Sequence, residues 1–221
     1  MNRDGNISMS VIKRLPRYYR FLDDLKSMGM ERISSKELSR RMGLTASQIR
    51  QDLNCFGGFG QQGYGYNVEQ LHREIASILG LDASLKTIVI GAGNLGRAIA
   101  THMEFDKRGF SLIGIFDNKE AICGQLVRGL PVRHIDSLDD FCRELRPQIA
   151  VLCVPKDAAK DLSDQLISLG IKGIWNFSHY DLSVMHPEIP IENVHLSDSM
   201  MTLCYRVTSK YYNQTKMPNA D

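Results

Sequence analysis

The stretch Thr87-Ile-Val-Ile-Gly-Ala-Gly-Asn-Leu-Gly96 decides the fold of this chain. Its β-branched residues predict a strand, and the GAGNLG that follows leads directly into a helical pattern. In such a loop the first glycine permits a tight turn, the second lets the backbone approach a pyrophosphate, and the third lets the helix pack on the strand. The exposed N–H groups that begin the helix would then face the phosphate charge. The sequence therefore predicts a dinucleotide site on Gly91, Ala92, Gly93, Asn94, Leu95 and Gly96.

An acid follows the loop at the distance that a dinucleotide site requires. Asp117 ends the hydrophobic run 112–116 and lies 21 residues after Gly96. Its carboxylate would bind the ribose hydroxyls of adenosine and repel a 2′-phosphate, so the predicted cofactor is NAD (NAD⁺ and NADH) and not NADP. The alternative, a chance glycine turn, does not explain why strand, loop, helix and acid occur in register.

Strands and helices alternate after the loop, which predicts a Rossmann-type, doubly wound parallel sheet over residues 83–197. The predicted strands are 87–91, 111–117, 131–134, 149–154, 173–177 and 194–196. The predicted helices between them are 95–105, 138–145 and 158–169. Carboxyl ends of such strands face the cofactor, so four further residues complete the predicted cofactor set: Val154, Pro155, Asn176 and Phe177. Asn176 is expected to hydrogen-bond the nicotinamide amide.

The N-terminal part has a different character, and residues 1–82 predict a winged-helix DNA-binding domain. Residues 1–50 carry 11 Lys and Arg against 5 Asp and Glu, which favours a polyanion as partner, although a solvated surface would also explain the charge. A first helix is predicted over 10–28, followed by two short helices that begin at capping boxes, Ser34-Ser-Lys-Glu37 and Thr45-Ala-Ser-Gln48. Aromatic residues alternate with glycines over 56–66 and predict a β-hairpin wing, before a last helix over 68–79.

The helix after Thr45 is the predicted recognition helix, because its polar face could reach base edges or phosphates in a major groove. The predicted DNA-binding residues are Arg14, Arg17, Thr45, Ser47, Gln48, Arg50, Gln51 and Gln62. The alternative is an ordinary helical subdomain with an exposed polar face.

A last helical pattern over 199–212 carries an apolar stripe, and no strand follows it. Residues 198–221 are therefore predicted as a dimerisation helix and tail, with a helix that covers either its own sheet or a partner subunit.

Several function classes are disfavoured by what the sequence lacks. It has no apolar run that would span a bilayer, no signal peptide, and five scattered cysteines without a CxxC pair, so we expect a cytoplasmic protein without a membrane association. We find no catalytic set and no metal-ligand spacing, and expect neither enzyme activity nor a metal. Tyr212 and Lys216 match a dehydrogenase pattern in the wrong place, and His179 remains the candidate for an NAD-dependent oxidoreductase.

Taken together, these segments resemble the Rex family of NAD(H)-sensing transcriptional repressors over nearly the whole chain. The resemblance depends on Gln48-Ile-Arg-Gln-Asp-Leu-Asn-Cys-Phe-Gly57, Gly63-Tyr-Gly-Tyr66, Gly91-Ala-Gly-Asn-Leu-Gly-Arg-Ala98, Val154-Pro-Lys-Asp-Ala-Ala159 and Glu192-Asn-Val194, among others. It implies a homodimer with swapped C-terminal helices, bound to palindromic operator DNA with NAD⁺ and released by NADH.

The chain also departs from the family pattern. Rex wings usually carry basic residues where this chain has Gln61 and Gln62, and the recognition helix usually has one at Gln51. The resemblance implies a redox switch in which a carboxylate pairs with a first-helix arginine or with a tyrosine. Here Arg20 matches the arginine, but His195 and His102 occupy the other two positions. A paralogue with weak or lost autonomous DNA binding is therefore the alternative function.

Overall fold

The structure is a computed structural model that describes residues 7–57, 59–61 and 64–215. The chain divides into two compact units, Met1–Ala83 and Ser84–Asp221. The division lies one residue after the boundary expected at residue 82.

The first unit is helical with a small sheet. Its elements are α1 (Met9–Ile12), α2 (Leu15–Ser27), β1 (Arg32–Ile33), α3 (Ser35–Met42), α4 (Ala46–Asn54), β2 (Gly60–Gln61), β3 (Gly65–Asn67) and α5 (Val68–Ile78). The strands form an antiparallel sheet in the order β1-β3-β2. The helices enclose one apolar core that includes Leu15, Leu22, Leu38, Ile49 and Leu53, all fully buried.

The prediction of a single helix over 10–28 is wrong, because the structure has the two helices α1 and α2 in its place. Pro16 in the first turn of α2 explains the break. Proline has no backbone N–H to donate to the carbonyl of Ile12, and its ring clashes with that carbonyl in a continuous helix.

The predicted helix starts are present, but only half of each capping box forms. Ser34 accepts a hydrogen bond from the Glu37 N–H at 3.1 Å, and Thr45 accepts one from the Gln48 N–H at 3.1 Å. The side chain of Glu37 pairs with Arg40 and Arg41, and that of Gln48 reaches along its own helix. Glu37 thus forms ion pairs and Gln48 forms a side-chain hydrogen bond, and neither bonds to the backbone of its capping residue.

The second unit is a sheet with helices. Its elements are β4 (Leu85–Ile90), α6 (Asn94–His102), β5 (Phe110–Asp117), β6 (Leu126–Val127), β7 (Leu130–His134), α7 (Leu138–Leu145), β8 (Ile149–Leu152), α8 (Lys156–Ser168), β9 (Gly173–Asn176), β10 (Ile191–Asn193) and α9 (Leu196–Thr215). The strand order is β10-β9-β8-β4-β5-β7-β6, and only the β6–β7 pair is antiparallel. The order reverses between β4 and β8, which places the crevice of a doubly wound sheet at their carboxyl ends.

Apart from shifts of one or two residues at strand ends, the last strand and a short edge strand of this sheet differ from the prediction. The last strand is β10, which pairs in parallel with β9 three residues before the predicted 194–196, and α9 already begins at Leu196. The short strand β6 was not predicted, since a two-residue strand carries no detectable alternation of side chains.

The helix α9 presents large apolar side chains to solvent within this chain. Met200 and Tyr205 are each 72% exposed, and Leu203, Val207 and Tyr211 are also exposed. Among the described helices, none has the length and apolar character that a membrane crossing requires.

Candidate functional site

The loop between β4 and α6 depends on two of its glycines for its own backbone path. Gly91 has a positive φ of 96°, and a Cβ atom there would overlap with the carbonyl oxygen of Cys153. A Cβ atom on Gly96 would overlap with the carbonyl oxygen of Gly91. These two positions therefore let the strand turn into the helix and let the helix lie close to the strand.

Gly93 is different, because neither its backbone conformation nor its surroundings in the protein require a glycine. Its φ of −70° suits any residue, and a Cβ atom there would have no heavy atom of the chain within 4 Å. Gly93 is also the N-cap of α6 and provides no side-chain cap, while Asn94 and Leu95 are exposed. An open backbone beside uncapped helix N–H groups fits a phosphate group.

Asp117 is buried at the end of β5, and its carboxylate holds the loop. Its Oδ2 accepts a hydrogen bond of 2.7 Å from the Ala92 N–H, and its Oδ1 accepts one of 2.9 Å from the Lys119 N–H. A carboxylate has about four acceptor sites, so two remain for ligand hydroxyls.

Arg97 fixes the other side of the same peptide, and sequence reasoning missed it. Its Nε donates to the Ala92 carbonyl at 2.8 Å, and its Nη2 donates to Gln125 Oε1 at 2.7 Å. Its position directly after the third glycine was the available signal. Ala92 is therefore held through both its N–H and its carbonyl.

The ends of β8 and β9 supply the other residues predicted to bind the cofactor. Val154 is half-buried, and Pro155 is exposed as the N-cap of α8. Phe177 is half-buried and meets Trp175 edge-on, with ring centroids 4.6 Å apart. Burial raises the pKa of the neighbouring Cys153 thiol to about 12, so this thiol remains protonated at neutral pH.

Asn176 does not have the free amide that the predicted nicotinamide contact requires. It is fully buried, and its Nδ2 donates to the Tyr180 carbonyl at 2.6 Å and to Asn193 Oδ1 at 2.8 Å. Its Oδ1 accepts from the N–H and the hydroxyl of Ser178. Asn176 thus orders the loop after β9, where the sequence alone could not reveal its partners.

The residues at the expected redox switch lie in both units. Arg20 is exposed on α2 of the first unit. In the second unit His102 is exposed at the end of α6, and His195 is half-buried with its ring stacked near that of His179, 6.3 Å between centroids.

In the first unit, a buried acid that the predicted set does not include connects α4 to the first turns of α2. Asp52 of α4 is 1% exposed, and Arg14 donates to both its oxygens, from Nε to Oδ2 and from Nη2 to Oδ1, each at 2.7 Å. Tyr18 Oη donates to Oδ2 at 3.0 Å, and Gln48 Nε2 donates to Oδ1 at 2.8 Å. The helical spacing of Asp52 with buried Ile49 and Leu53 was the signal that places it on the inner face.

These bonds decide the charge of the acid. Burial by itself would raise the pKa of Asp52, but hydrogen bonds from Arg14, Gln48 and Tyr18 outweigh it and lower the pKa below its usual value. Asp52 is therefore ionised at neutral pH and can only accept hydrogen bonds.

The remaining predicted DNA-binding residues divide between supporting and exposed positions. Arg17 donates to the carbonyl of Met42 at the end of α3, and Thr45 caps α4. Ser47, Arg50 and Gln51 are exposed on α4, and Arg50 Nη1 donates to the Ser35 hydroxyl at 3.0 Å. The predicted contact of Gln62 lies outside the described residues, as does the side chain of Gln61. Within residues 7–57, 59–61 and 64–215, no group of three or more His, Cys, Asp and Glu side chains could hold a metal ion.

Comparison with known proteins identifies the family. The family model "Putative DNA-binding protein N-terminus" matches residues 6–54, and the model "CoA binding domain" matches residues 82–180. The redox-sensing transcriptional repressor Rex of Thermoanaerobacter pseudethanolicus is 52% identical over 210 residues, which are 95% of this chain and 93% of that protein. The chain belongs to the Rex family. The Rex of Clostridium novyi is 54% identical over 205 residues, 93% of this chain and 97% of the other.

Solved structures of RSP, a Rex-family repressor, agree with this assignment. A crystal structure of RSP in complex with β-NAD⁺ and operator DNA is similar with a TM-score of 0.87 and 51% identity, over 97% of this chain and 99% of that one. A structure of RSP with β-NADH is similar with a TM-score of 0.87 and 48% identity, over 96% and 99%. The predicted fold class, a winged-helix domain joined to a Rossmann-type domain, is confirmed, as is the prediction that this Rex chain is not an enzyme.

Proposed function

We propose that this Rex family member is a redox-sensing repressor: a homodimer that binds operator DNA and is released when NADH replaces NAD⁺. The open backbone at Gly93, between an uncapped helix and the oriented carboxylate of Asp117, is the observation that carries the cofactor part. The names of the relatives support a redox-sensing repressor. The two RSP structures support operator DNA, NAD⁺ and NADH as its ligands. We place its action in the cytoplasm.

The loop Gly91–Gly96 and Asp117 would hold the dinucleotide. The helix N-terminus of α6 would face the pyrophosphate, and the free acceptor sites of Asp117 would take the ribose hydroxyls. Val154, Pro155 and Phe177, at the strand ends, would lie toward the nicotinamide. Bound nicotinamide supplies the signal, since its ring is charged when oxidised and neutral when reduced. A ligand shifts a conformational equilibrium only by its difference in affinity for the two states, so the two forms must favour different arrangements of the dimer.

The helix α4 would enter the major groove, with Ser47, Arg50 and Gln51 as its exposed polar side chains. A dimer would present two such helices about 34–36 Å apart to fit successive major grooves. The exposed apolar side chains of α9 suit a partner subunit. Arg20, His102 and His195 remain the proposed residues of the switch.

The test is operator binding in the two redox states. An operator selected from a randomised duplex library by the full-length protein is labelled, and its affinity is measured by fluorescence anisotropy with NAD⁺, with NADH and without ligand. We expect NADH to weaken binding at least about tenfold relative to NAD⁺, a difference of about 1.4 kcal/mol. Equal affinity in all three conditions would contradict the proposal that this chain senses the redox state of NAD.

A second candidate function follows from the exposed Gln51, which stands where Rex recognition helices usually have a basic residue. A paralogue with weak DNA binding of its own would bind NADH normally but select no operator sequence from the library. The same experiment therefore separates the two candidates.

A further inference from the structure

The carboxylate of Asp52 has all of its acceptor positions occupied. Each oxygen accepts two hydrogen bonds: Oδ2 from Arg14 Nε and Tyr18, and Oδ1 from Arg14 Nη2 and Gln48 Nε2. A carboxylate has about four such positions, so no further donor fits, and each present donor is held by a charged acceptor.

This acceptor determines which way the amide of Gln48 is turned. A glutamine amide has an NH₂ group at one corner and a carbonyl oxygen at the other. Since Asp52 only accepts hydrogen bonds, the corner at 2.8 Å from Oδ1 must be the NH₂ group. The carbonyl oxygen of Gln48 therefore points away from Asp52, and the opposite orientation would bring two oxygens together.

Gln48 has the right place on the helix to contact a base. It is the third residue of α4 and half-buried, and its backbone N–H is held by Thr45 at 3.1 Å. Recognition helices contact base edges mainly with the residues of their N-terminal turns. A side chain fixed at its amide and at its backbone loses little freedom when it binds.

We propose that Asp52 is a positioning residue for operator specificity: it fixes Gln48 so that the Gln48 carbonyl oxygen selects a base with an exocyclic amino group, adenine or cytosine. This inference rests on the proposed function, because it requires α4 in a major groove. Adenine and cytosine present amino donors there, whereas guanine and thymine present keto oxygens, which the Gln48 carbonyl would repel. The remaining N–H of Gln48 can also donate to N7 of an adenine.

The wild type and variants at residues 48 and 52 are compared. Each protein first selects an operator from a randomised duplex library, and fluorescence anisotropy then measures its affinity for operators with each base substituted at each position. For the wild type we expect one position per half-site with about tenfold preference for adenine or cytosine. Gln48→Ala removes that preference only. Asp52→Ala removes the acceptor that orients Gln48, so the amide can turn either its carbonyl oxygen or its NH₂ group outward, and the preference for adenine or cytosine at that position is lost.

A merely structural role of Asp52 gives a different result. Asp52→Ala would then weaken all operators equally without a change of preferred base, and this would overturn the inference. The double variant Asp52→Ala with Gln48→Glu places an acceptor at residue 48 in either orientation and removes the repelling carboxylate, so we expect a preference for cytosine at that position. If no such preference appears in a folded protein, Asp52 does not act through residue 48.

Gln48→Glu alone gives an answer even where circular dichroism shows that Asp52→Ala does not fold. Against the ionised Asp52, the introduced carboxylate is repelled from its place, and base preference at that position is lost. A carboxylate at position 48 that is independent of Asp52 would instead select cytosine, which contradicts the inference. A wild type that selects no operator removes the proposed function and this inference with it, whereas a selected operator insensitive to Gln48→Ala removes this inference alone.

Discussion

The carboxylate of Asp117 accepts a 2.7 Å hydrogen bond from the backbone N–H of Ala92, the second residue of the glycine-rich loop. The acid at the end of β5 therefore helps to fix the backbone of the loop after β4. In the proposed NAD site, one side chain would both orient the backbone that meets the phosphates and offer acceptor positions to the ribose, which would couple the two halves of that site.

Asp117→Ala should lower NADH affinity about tenfold to a hundredfold, since a charged hydrogen bond is lost and the Ala92 N–H loses its partner. Titration of NADH fluorescence measures this. The matched control is Glu144→Ala, an exposed acid in the last turn of α7, which should leave the affinity unchanged. Unchanged NADH binding by Asp117→Ala would contradict the assignment.

Gly93→Ala and Gly96→Ala should separate binding from folding. A methyl group at Gly93 meets no protein atom, so stability stays within about 0.5 kcal/mol while NADH binding is lost to the obstructed phosphate. At Gly96 the methyl group overlaps with the Gly91 carbonyl and should cost about 3 kcal/mol in the free energy of unfolding. Urea unfolding and NADH titration of both variants test this, and equal stability of the two would refute it.

Asp52→Ala should destabilise the protein by about 3 kcal/mol at pH 7, because the partly buried Arg14 loses its partner. The lowered pKa of Asp52 gives the sign of the pH dependence. Its contribution is complete above the unfolded pKa of about 4 and is lost as the pH falls through the folded value. Urea unfolding from pH 7 to pH 3 should therefore show wild type and variant converging in acid. The control Asp140→Ala removes an exposed acid of α7 and should show no such difference.

Gln51→Lys should strengthen operator binding and make it more sensitive to salt. An added phosphate contact makes the slope of log affinity against log salt more negative by about 1. Anisotropy at several salt concentrations measures the slope, with the exposed Gln70→Lys of α5 as control. Equal slopes for both variants would place residue 51 away from the DNA backbone.

Leu203→Glu should dissociate the proposed dimer, raising its dissociation constant at least about a hundredfold, because a charge would be buried where α9 meets its partner. Sedimentation equilibrium measures this. The control is Leu126→Glu on β6, where the leucine is 70% exposed and no contact with a partner is proposed. If the wild type sediments as a single chain, the proposal of a dimer is wrong.

Local signals in the sequence were sufficient for the glycine-rich loop of the Rossmann unit and for the acid that follows it. The loop Gly91–Gly96 and Asp117 were predictable because strand, turn and helix follow one another within a few residues, and because Gly91 and Gly96 have a steric reason. The helix Leu138–Leu145 was predicted with the bounds that the structure has. The strand β10 was placed three residues too late, since its position depends on pairing with β9 and not on its own three residues.

Contacts between distant residues could not be predicted. Arg14 and Asp52 are 38 positions apart, and no pattern in either segment indicates that they meet. Asn176 was predicted as a ligand contact because polar residues at strand ends often are, yet its amide is used by Tyr180, Ser178 and Asn193. Side chains that serve ligands and side chains that order loops thus have the same sequence signature at such an edge.

Cys153, whose carbonyl lies against Gly91, has a thiol that stays protonated at neutral pH. Peroxide attacks thiolates, and a thiol with a pKa of about 12 offers almost none at neutral pH. Peroxide should therefore leave Cys153 unmodified, so that the loop at Gly91 would respond to the bound cofactor and not to oxidation of this thiol.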